Sequence, residues 1–473
     1  MTAPTSQDVT KLAGIKAYRE HYGVNRRFPE GGRDRAELMR ELREMAAMED
    51  DFWQTGRCSG SLYSGNMDHY GFLNEAAALY SHVNALQRDI CPSASRFESE
   101  IIAMTLDLMH GDAVPGATAC GAVTSGGTDS IMSAVLAHRE WARRERDVRA
   151  PRMILPRTAH PAFEKAAHLF GVEVVAAPID PVSTQVDVDF VRDHIDDRTI
   201  LLVGSAGNYP YGTIDPIERL SDLAVAHGVG LHVDGCLGGF ILPWGEALGY
   251  EIPVFDFRLP GVTSISADTH KYGYGLKGTS VVLYRDKALR EGQYFISEMW
   301  PGGKYFSPGL AGSRPVGLLA ATWASMVSLG RVGYMELARA IFETSFAMQA
   351  EVARHPELRM MGVPTFCFSF TSDQFDIYHV NDFLRQRGWR MNGQQYPNAI
   401  HMCVTGPQTQ PGVVEAFGGD LAEAVAYALE HRGDRAASAA IYGGIPEDMP
   451  GGQNTLRRTL VQLIDRMHDL PRE

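Results

Sequence analysis

Between Gly121 and about Leu283, short apolar runs of strand length alternate with helical ones, and this alternation constrains the fold more than any other feature. The strand candidates are 153–155, 173–177, 199–204, 230–233, 264–267 and 280–284. Several such runs separated by helices predict a mostly parallel sheet covered by helices, an α/β domain. Ligands in sheets of this kind sit beyond the carboxyl ends of the strands. Functional residues are therefore sought where these runs end.

Three of those ends carry chemistry. The run 264–267 leads through Asp-Thr-His-Lys into a glycine-rich loop, Tyr-Gly-Tyr-Gly-Leu-Lys-Gly, that presents Lys271 next to His270. A lysine bonds a cofactor aldehyde when it is held near the reacting carbon and its charged form is disfavoured. The run 230–233 ends at Asp234, a carboxylate able to hold a protonated pyridine nitrogen. After 153–155 comes His160, whose imidazole can stack on a ring face. Upstream, Ser125-Gly126-Gly127-Thr128 opens a helical run at 131–139, and N–H groups at a helix N-terminus bind a phosphate ester. Alone, each has an ordinary explanation: a loop pair, a turn-capping Asp, a packing histidine, a helix cap by Ser125 or Thr128. Together, a phosphate loop, stacking His, ring-partner Asp and loop Lys follow the chain order expected of a fold-type I pyridoxal phosphate enzyme.

The motifs carry a more specific likeness. Val-Thr-Ser-Gly-Gly-Thr at 123–128, His-Pro-Ala-Phe-Glu-Lys-Ala-Ala at 160–167, His-Val-Asp-Gly-Cys-Leu-Gly-Gly-Phe at 232–240, Phe-Asp-Phe-Arg at 255–258 and the long run 261–274 resemble the sphingosine-1-phosphate lyase family. That family is itself similar to the group II pyridoxal-dependent decarboxylases. The likeness continues through Lys277-Gly278, Ser307-Pro308 and Ala-Gly-Ser-Arg-Pro at 311–315. It implies pyridoxal 5'-phosphate as cofactor, and Tyr63, Lys277 and Tyr442 as the polar set around a substrate phosphate. It further implies that Ser307 reaches the cofactor phosphate of a neighbouring subunit in a homodimer with shared sites. Gln87, at the position of a substrate-side histidine in the family, departs from the pattern, as do Arg88, Tyr211 and Val316. Arg314 reads as a structural ion pair.

The chemistry the likeness implies is retro-aldol cleavage of sphingosine 1-phosphate, or its dihydro form, to phosphoethanolamine and a long-chain aldehyde. The cofactor constellation by itself also serves an amino-acid decarboxylase of the group II kind, and these alternatives stay open on the residues alone. A silent scaffold is a third reading, against which the intact Lys271 stands.

Domain organisation follows from where the periodicity changes. Residues 1–60 are expected to form an N-terminal helical arm, with Leu38, Leu42, Met45, Ala46 and Met48 on one helical face. Residues 61–325 would be the large cofactor-binding domain. Residues 326–473 would be a smaller C-terminal α+β domain, with helices at 336–353 and 413–431 and strands near 365–371 and 400–405. At 473 residues and 45% hydrophobic, the chain has material for a large core. A net charge of -13 argues against a nucleic-acid surface, which requires basic groups. Six scattered cysteines show no paired metal-ligand spacing, so no metal is expected and the thiols read as reduced. No signal peptide pattern and no uninterrupted apolar run of about 18 residues is visible, so the cytosol is the expected location.

Overall fold

The computed structural model describes Tyr22, residues 25–438 and residues 452–468. Its centre is a seven-stranded sheet of β1 (Cys120–Thr124), β2 (Arg152–Pro156), β3 (Glu173–Ala177), β4 (Thr199–Ser205), β5 (Gly230–Asp234), β6 (Ser264–Ala267) and β7 (Ser280–Tyr284). The spatial order is β1-β7-β6-β5-β4-β2-β3. Strands β6, β5, β4, β2 and β3 pair in parallel, while β7 is antiparallel to both β6 and β1. One reversed strand leaves β1 pointing the same way as the rest. The carboxyl ends of β1, β5 and β6 therefore open on one edge, where the sequence places Ser125, Asp234 and Lys271.

Burial explains the sequence pattern. Every residue of the inner strands β4, β5, β6 and β7 is buried, as expected of strands covered on both faces, and so is every residue of the edge strand β1. All six expected sheet positions, β2 to β7, agree to within a residue at each end, and β3, β6 and β7 agree at both. Strand β1 escaped sequence reading because Cys120, Gly121 and Ala122 carry no β-branched or aromatic signal, which leaves only Val123 and Thr124 before the glycine loop. The helix after it runs Gly127–Glu145, a turn earlier than its apolar periodicity indicates, and packs Ile131, Ala134, Val135 and His138 into the core.

The helix Val316–Ala353 crosses the expected domain boundary, with a break in helical geometry at Gly330 (φ 55°, ψ -177°). Beyond it lies a four-stranded antiparallel sheet of Arg359–Met360, Cys367–Thr371, Ala399–Cys403 and Asn392–Gln394. Helix Tyr378–Gln386 packs on it, and helix Val413–Glu430 packs on that helix and on Val316–Ala353. Aromatic contacts join the two sheets: Phe366 meets Tyr272 at 5.1 Å and Phe342 at 6.4 Å, both edge to face.

Among the described residues, two uncovered apolar surfaces bear on assembly. Helix Arg35–Gln54, capped by Asp34, leaves Leu38, Met39, Leu42 and Met48 exposed. The hairpin of Phe295–Ser297 and Tyr305–Ser307 exposes Phe295, Ile296, Met299, Trp300 and Phe306.

Candidate active site

At the carboxyl edge of the sheet, a cavity of about 350 Å³ is lined by Ser125, Gly126, Gly127, Thr128, His160, Cys236, Asp268, His270 and Lys271, among others. Gly126 is the N-cap of helix Gly127–Glu145 at φ 148°, a backbone conformation open to glycine. A Cβ at Gly127 would stand 2.7 Å and 2.8 Å from the Asp268 carboxylate oxygens, so only glycine lets that carboxylate lie under the helix start. Ser125 is engaged in this state: its N–H and its hydroxyl both donate to Asp129 Oδ2 at 2.9 Å. The N–H groups of Gly127 and Thr128 are the donors left for a phosphate ester.

Lys271 sits on the loop between β6 and β7, its Nζ 2.9 Å from Asp268 Oδ2. Burial alone would lower its pKa; Asp268, then Cys236 and Asp234, more than reverse this and hold it above the ordinary lysine value. This corrects the expectation that the charged form of Lys271 is disfavoured. Asp268 itself is a residue that sequence reading missed. It is 2% exposed, its Oδ1 is buried without a hydrogen-bond partner, and Oδ2 also lies 3.8 Å from His270 Nε2. The available signal was the carboxylate one helical turn before the lysine in Asp-Thr-His-Lys. His270 is fixed by donating Nδ1–H to the Thr279 carbonyl, and burial, against the pull of Asp268, lowers its pKa.

Asp234 ends β5, buried, with Oδ1 accepting from Cys236 N–H at 3.0 Å and from the Ser266 hydroxyl at 3.3 Å. Among the described residues its Oδ2 has no hydrogen bond, leaving one oxygen to meet a ring nitrogen. Behind it, His232 is held between Ser264 and Ser266, its pKa pushed down to about 3 by burial. Cys236 lies beside the cavity, its thiol pushed well above the usual range by burial and then by Asp234 and Asp268. His160 lines the cavity and also accepts the Ala162 N–H at Nδ1, 3.2 Å away. The capping reading is met, at a position that lines the cavity.

The substrate set divides. Tyr63 is 5% exposed and stands edge-on to Tyr272 at 5.0 Å, while Lys277 Nζ lies 4.5 Å over the Tyr63 ring. Lys277 donates to the His270 carbonyl at 3.3 Å and has no carboxylate within ion-pair distance among the described residues. The side chain as a whole is exposed, but protein atoms crowd its ammonium: burial first, then the Lys271 charge, push its pKa down to about 8. Gln87 and Ser307 are not brought to this cavity within one chain. Gln87 is exposed beyond helix Met67–Ala78. Ser307 sits on the hairpin, donates to the Gly309 carbonyl at 2.8 Å and lines a second cavity of about 980 Å³. Arg314 pairs with Glu98 at 3.3 Å and donates to the Val123 carbonyl at 3.0 Å, as its structural reading anticipates. Tyr211 is buried with its N–H on Asn208 Oδ1. Tyr442 lies outside the described residues.

This donor set fits pyridoxal phosphate. The helix N-terminus suits the phosphate, the free Asp234 oxygen a pyridinium, and Lys271 the aldehyde carbon. The orphaned Asp268 oxygen marks an unmet hydrogen-bonding position on the cavity floor. Known proteins agree. Residues 19–370 match the pyridoxal-dependent decarboxylase conserved domain. The sphingosine-1-phosphate lyase of Dictyostelium discoideum is 41% identical over 93% of this chain and 81% of its own length. The structure of Burkholderia pseudomallei sphingosine-1-phosphate lyase is 60% identical, with a TM-score of 0.90 over 96% of this chain and 99% of that one. A glutamate decarboxylase of Lactobacillus brevis, 21% identical, shares the fold at a TM-score of 0.74 over 89% of this chain and 99% of its own. The chain belongs to the pyridoxal-dependent decarboxylase family and, within it, to the sphingosine-1-phosphate lyases.

Proposed function

We propose that the protein is a pyridoxal phosphate-dependent lyase that cleaves sphingosine 1-phosphate, or its dihydro form, to phosphoethanolamine and a long-chain aldehyde. The observation that carries this reading is Lys277, an ammonium over the Tyr63 ring, next to Lys271 and without a carboxylate partner among the described residues. Lys271 has Asp268 as its counter-ion, whereas Lys277 has none among the described residues, and a phosphate monoester supplies that charge. Bound in the Lys271 cavity, the cofactor supplies a protonated ring that draws electrons from the amine-bearing carbon of the substrate. Asp234 would hold the proton on the ring nitrogen through its free oxygen, and His160 would cover the ring. The Gly127 and Thr128 N–H groups and Lys271 hold the cofactor at its two ends. Lys277 and Tyr63 would hold the phosphate end of the substrate and so orient it in the site.

The test is incubation of the cofactor-loaded protein with phosphorylated and unphosphorylated sphingoid bases and with amino acids. Aldehyde and phosphoethanolamine from the phosphorylated base are expected. Carbon dioxide from an amino acid, without aldehyde from the base, would establish the decarboxylase reading instead.

The working form we propose is a homodimer with shared sites. Its support is the exposed apolar face of helix Arg35–Gln54, the exposed apolar hairpin, and the position of Ser307 on that hairpin rather than at the Lys271 cavity. The proposed location is the cytosol, supported by six buried cysteines, all free, as reducing compartments keep them. Among the described residues one helix, Val316–Ala353, is long and apolar enough to cross a bilayer, and half of its apolar window is buried inside the fold.

A further inference from the structure

Cys367 and Cys403 face each other directly across two antiparallel strands of the small sheet. The hydrogen bonds show which kind of pair they form. Cys403 N–H donates to Ser59 Oγ at 2.9 Å, and its carbonyl accepts from Gly60 N–H at 3.0 Å, so neither group turns toward Cys367. The next pair along, Val404 and Phe366, is bonded instead, Val404 N–H to the Phe366 carbonyl at 3.2 Å. Cys367 and Cys403 therefore occupy a non-hydrogen-bonded position, where Cα atoms stand about 4.5 Å apart and side chains project to the same face. That separation lies inside the range of about 4.4–6.8 Å over which a disulfide closes without backbone movement. Both residues are almost fully buried, at 0% and 1% exposure, so what reaches them must be small.

From this geometry we infer that Cys367 and Cys403 are an oxidative modification site, a dithiol that a peroxide converts reversibly to a disulfide. Cys403 is the sulfur that reacts first. The contact with Cys367 favours its thiolate, burial opposes this, and the charges of Lys271 and Lys277 add to the first effect. Cys367, whose thiol burial pushes well up, stays protonated beside His401 Nδ1 at 3.5 Å and resolves the product. In the first step the Cys403 thiolate attacks a peroxide oxygen, the O–O bond breaks, a sulfenic acid forms and hydroxide leaves. In the second the Cys367 sulfur attacks the sulfenic sulfur, the S–O bond breaks, and water leaves with the thiol proton. Overall two thiols and one peroxide give one disulfide and two waters.

The bond would be felt at the active site. Tyr272, which follows Lys271 in the chain, has its hydroxyl on both Cys403 Sγ and the Val404 carbonyl, at 3.2 Å and 2.6 Å. The Ser59-Gly60 turn that binds Cys403 leads into Tyr63. Drawing the Cys403 sulfur toward Cys367 removes one of the two contacts of that hydroxyl and shifts the wall on which Tyr63 and Lys277 rest. The cross-link does not depend on which substrate the site takes, so its test and the test of the proposed function fail separately.

The experiment treats the cofactor-loaded full chain with hydrogen peroxide, blocks remaining thiols with iodoacetamide and maps peptides by mass. A linked peptide carrying Cys367 and Cys403, lighter than the two thiol peptides by two hydrogens and split by dithiothreitol, is expected. Activity should fall with its appearance and return with its reduction. Cys367→Ala should abolish the linked peptide and the dithiothreitol-reversible share of inactivation. Cys236 is scored on its own peptide, since its oxidation beside the cavity would also inactivate. Peptide mapping of the unsubstituted chain needs no variant to fold. The proposal is overturned if no Cys367–Cys403 peptide forms while activity is lost, or if the peptide forms and full activity persists.

Discussion

Asp268 Oδ2 lies 2.9 Å from Lys271 Nζ, one turn ahead of it on the loop that joins β6 to β7. The pair reverses what burial alone would do to the lysine. Before cofactor enters, Lys271 is therefore an ammonium, unable to attack an aldehyde, and the carboxylate beside it is the nearest group to take its proton. A lysine whose folded pKa is raised stays charged below that value, so neutral amine appears only in alkaline solution.

Asp268→Asn should lower the pH at which Lys271 becomes nucleophilic, because burial would then be opposed only by Cys236 and Asp234. A fall of one unit gives about ten times more neutral amine at neutral pH. The check is the pH profile of reductive labelling of Lys271 by a small aldehyde in cofactor-free protein, read by peptide mass. A profile that overlays the unsubstituted protein would leave Asp268 without this role.

Lys271→Ala should abolish turnover and the visible absorbance of covalently held cofactor, since no other described amine lines the cavity. Spectral titration with pyridoxal phosphate, followed by the aldehyde assay, decides it. Retained absorbance with undiminished rate would contradict the assignment.

Asp234→Asn keeps the shape and loses the charge that stabilises a ring proton. Turnover should fall by at least about tenfold, equivalent to about 1.4 kcal/mol, while cofactor is still retained on desalting. An equal rate would move the ring partner elsewhere, with Asp268 the next carboxylate to test.

The sequence was legible wherever one local rule sufficed. Buried parallel strands read as short apolar runs, and Lys271, Asp234, His160 and the 125–128 loop stand at strand ends that share one edge. Strand β1 was not legible, because Gly121 and Ala122 contribute no β signal and its place is set by pairing with β7 across 156 residues from Thr124 to Ser280. Asp268 hid for a different reason. Its role depends on Gly127, brought beside it from another strand end, and no spacing within 264–280 reveals that contact. Gln87 and Ser307 lie away from the cavity in one chain, a separation that only the folded chain makes visible.

Lys277 titrates where it can be measured. With its pKa pushed down to about 8, the cation is present below that value and lost as pH rises through it. The kcat/KM for the phosphorylated base, which reports the free enzyme, should fall above about pH 8 for this reason. Lys277→Ala should raise KM for that substrate by one to two powers of ten, about 1.5–3 kcal/mol for a charge-assisted contact, and should remove the alkaline limb. Lys277→Arg should restore part of the affinity and keep binding strong into alkaline solution, because guanidinium does not titrate there. If KM is unmoved in Lys277→Ala, the phosphate is held by other groups and the substrate proposal loses its main support.

The exposed hairpin gives the test of assembly. Ile296 is 64% exposed and Phe306 is 73% exposed on paired strands, Ile296 directly opposite Phe306, so their side chains share one face of the ribbon. An apolar pair held out to solvent on a two-stranded ribbon gains stability only when something covers it, and a second copy is the occupant we propose. Ile296→Glu with Phe306→Glu places two like charges opposite each other on that face and should shift the protein from dimer to monomer in analytical ultracentrifugation. Because Ser307 follows Phe306 in the chain, the monomer should also bind pyridoxal phosphate more weakly if that serine serves the neighbouring site. A double variant that stays dimeric with undiminished cofactor affinity would show that the hairpin builds neither the interface nor the shared site.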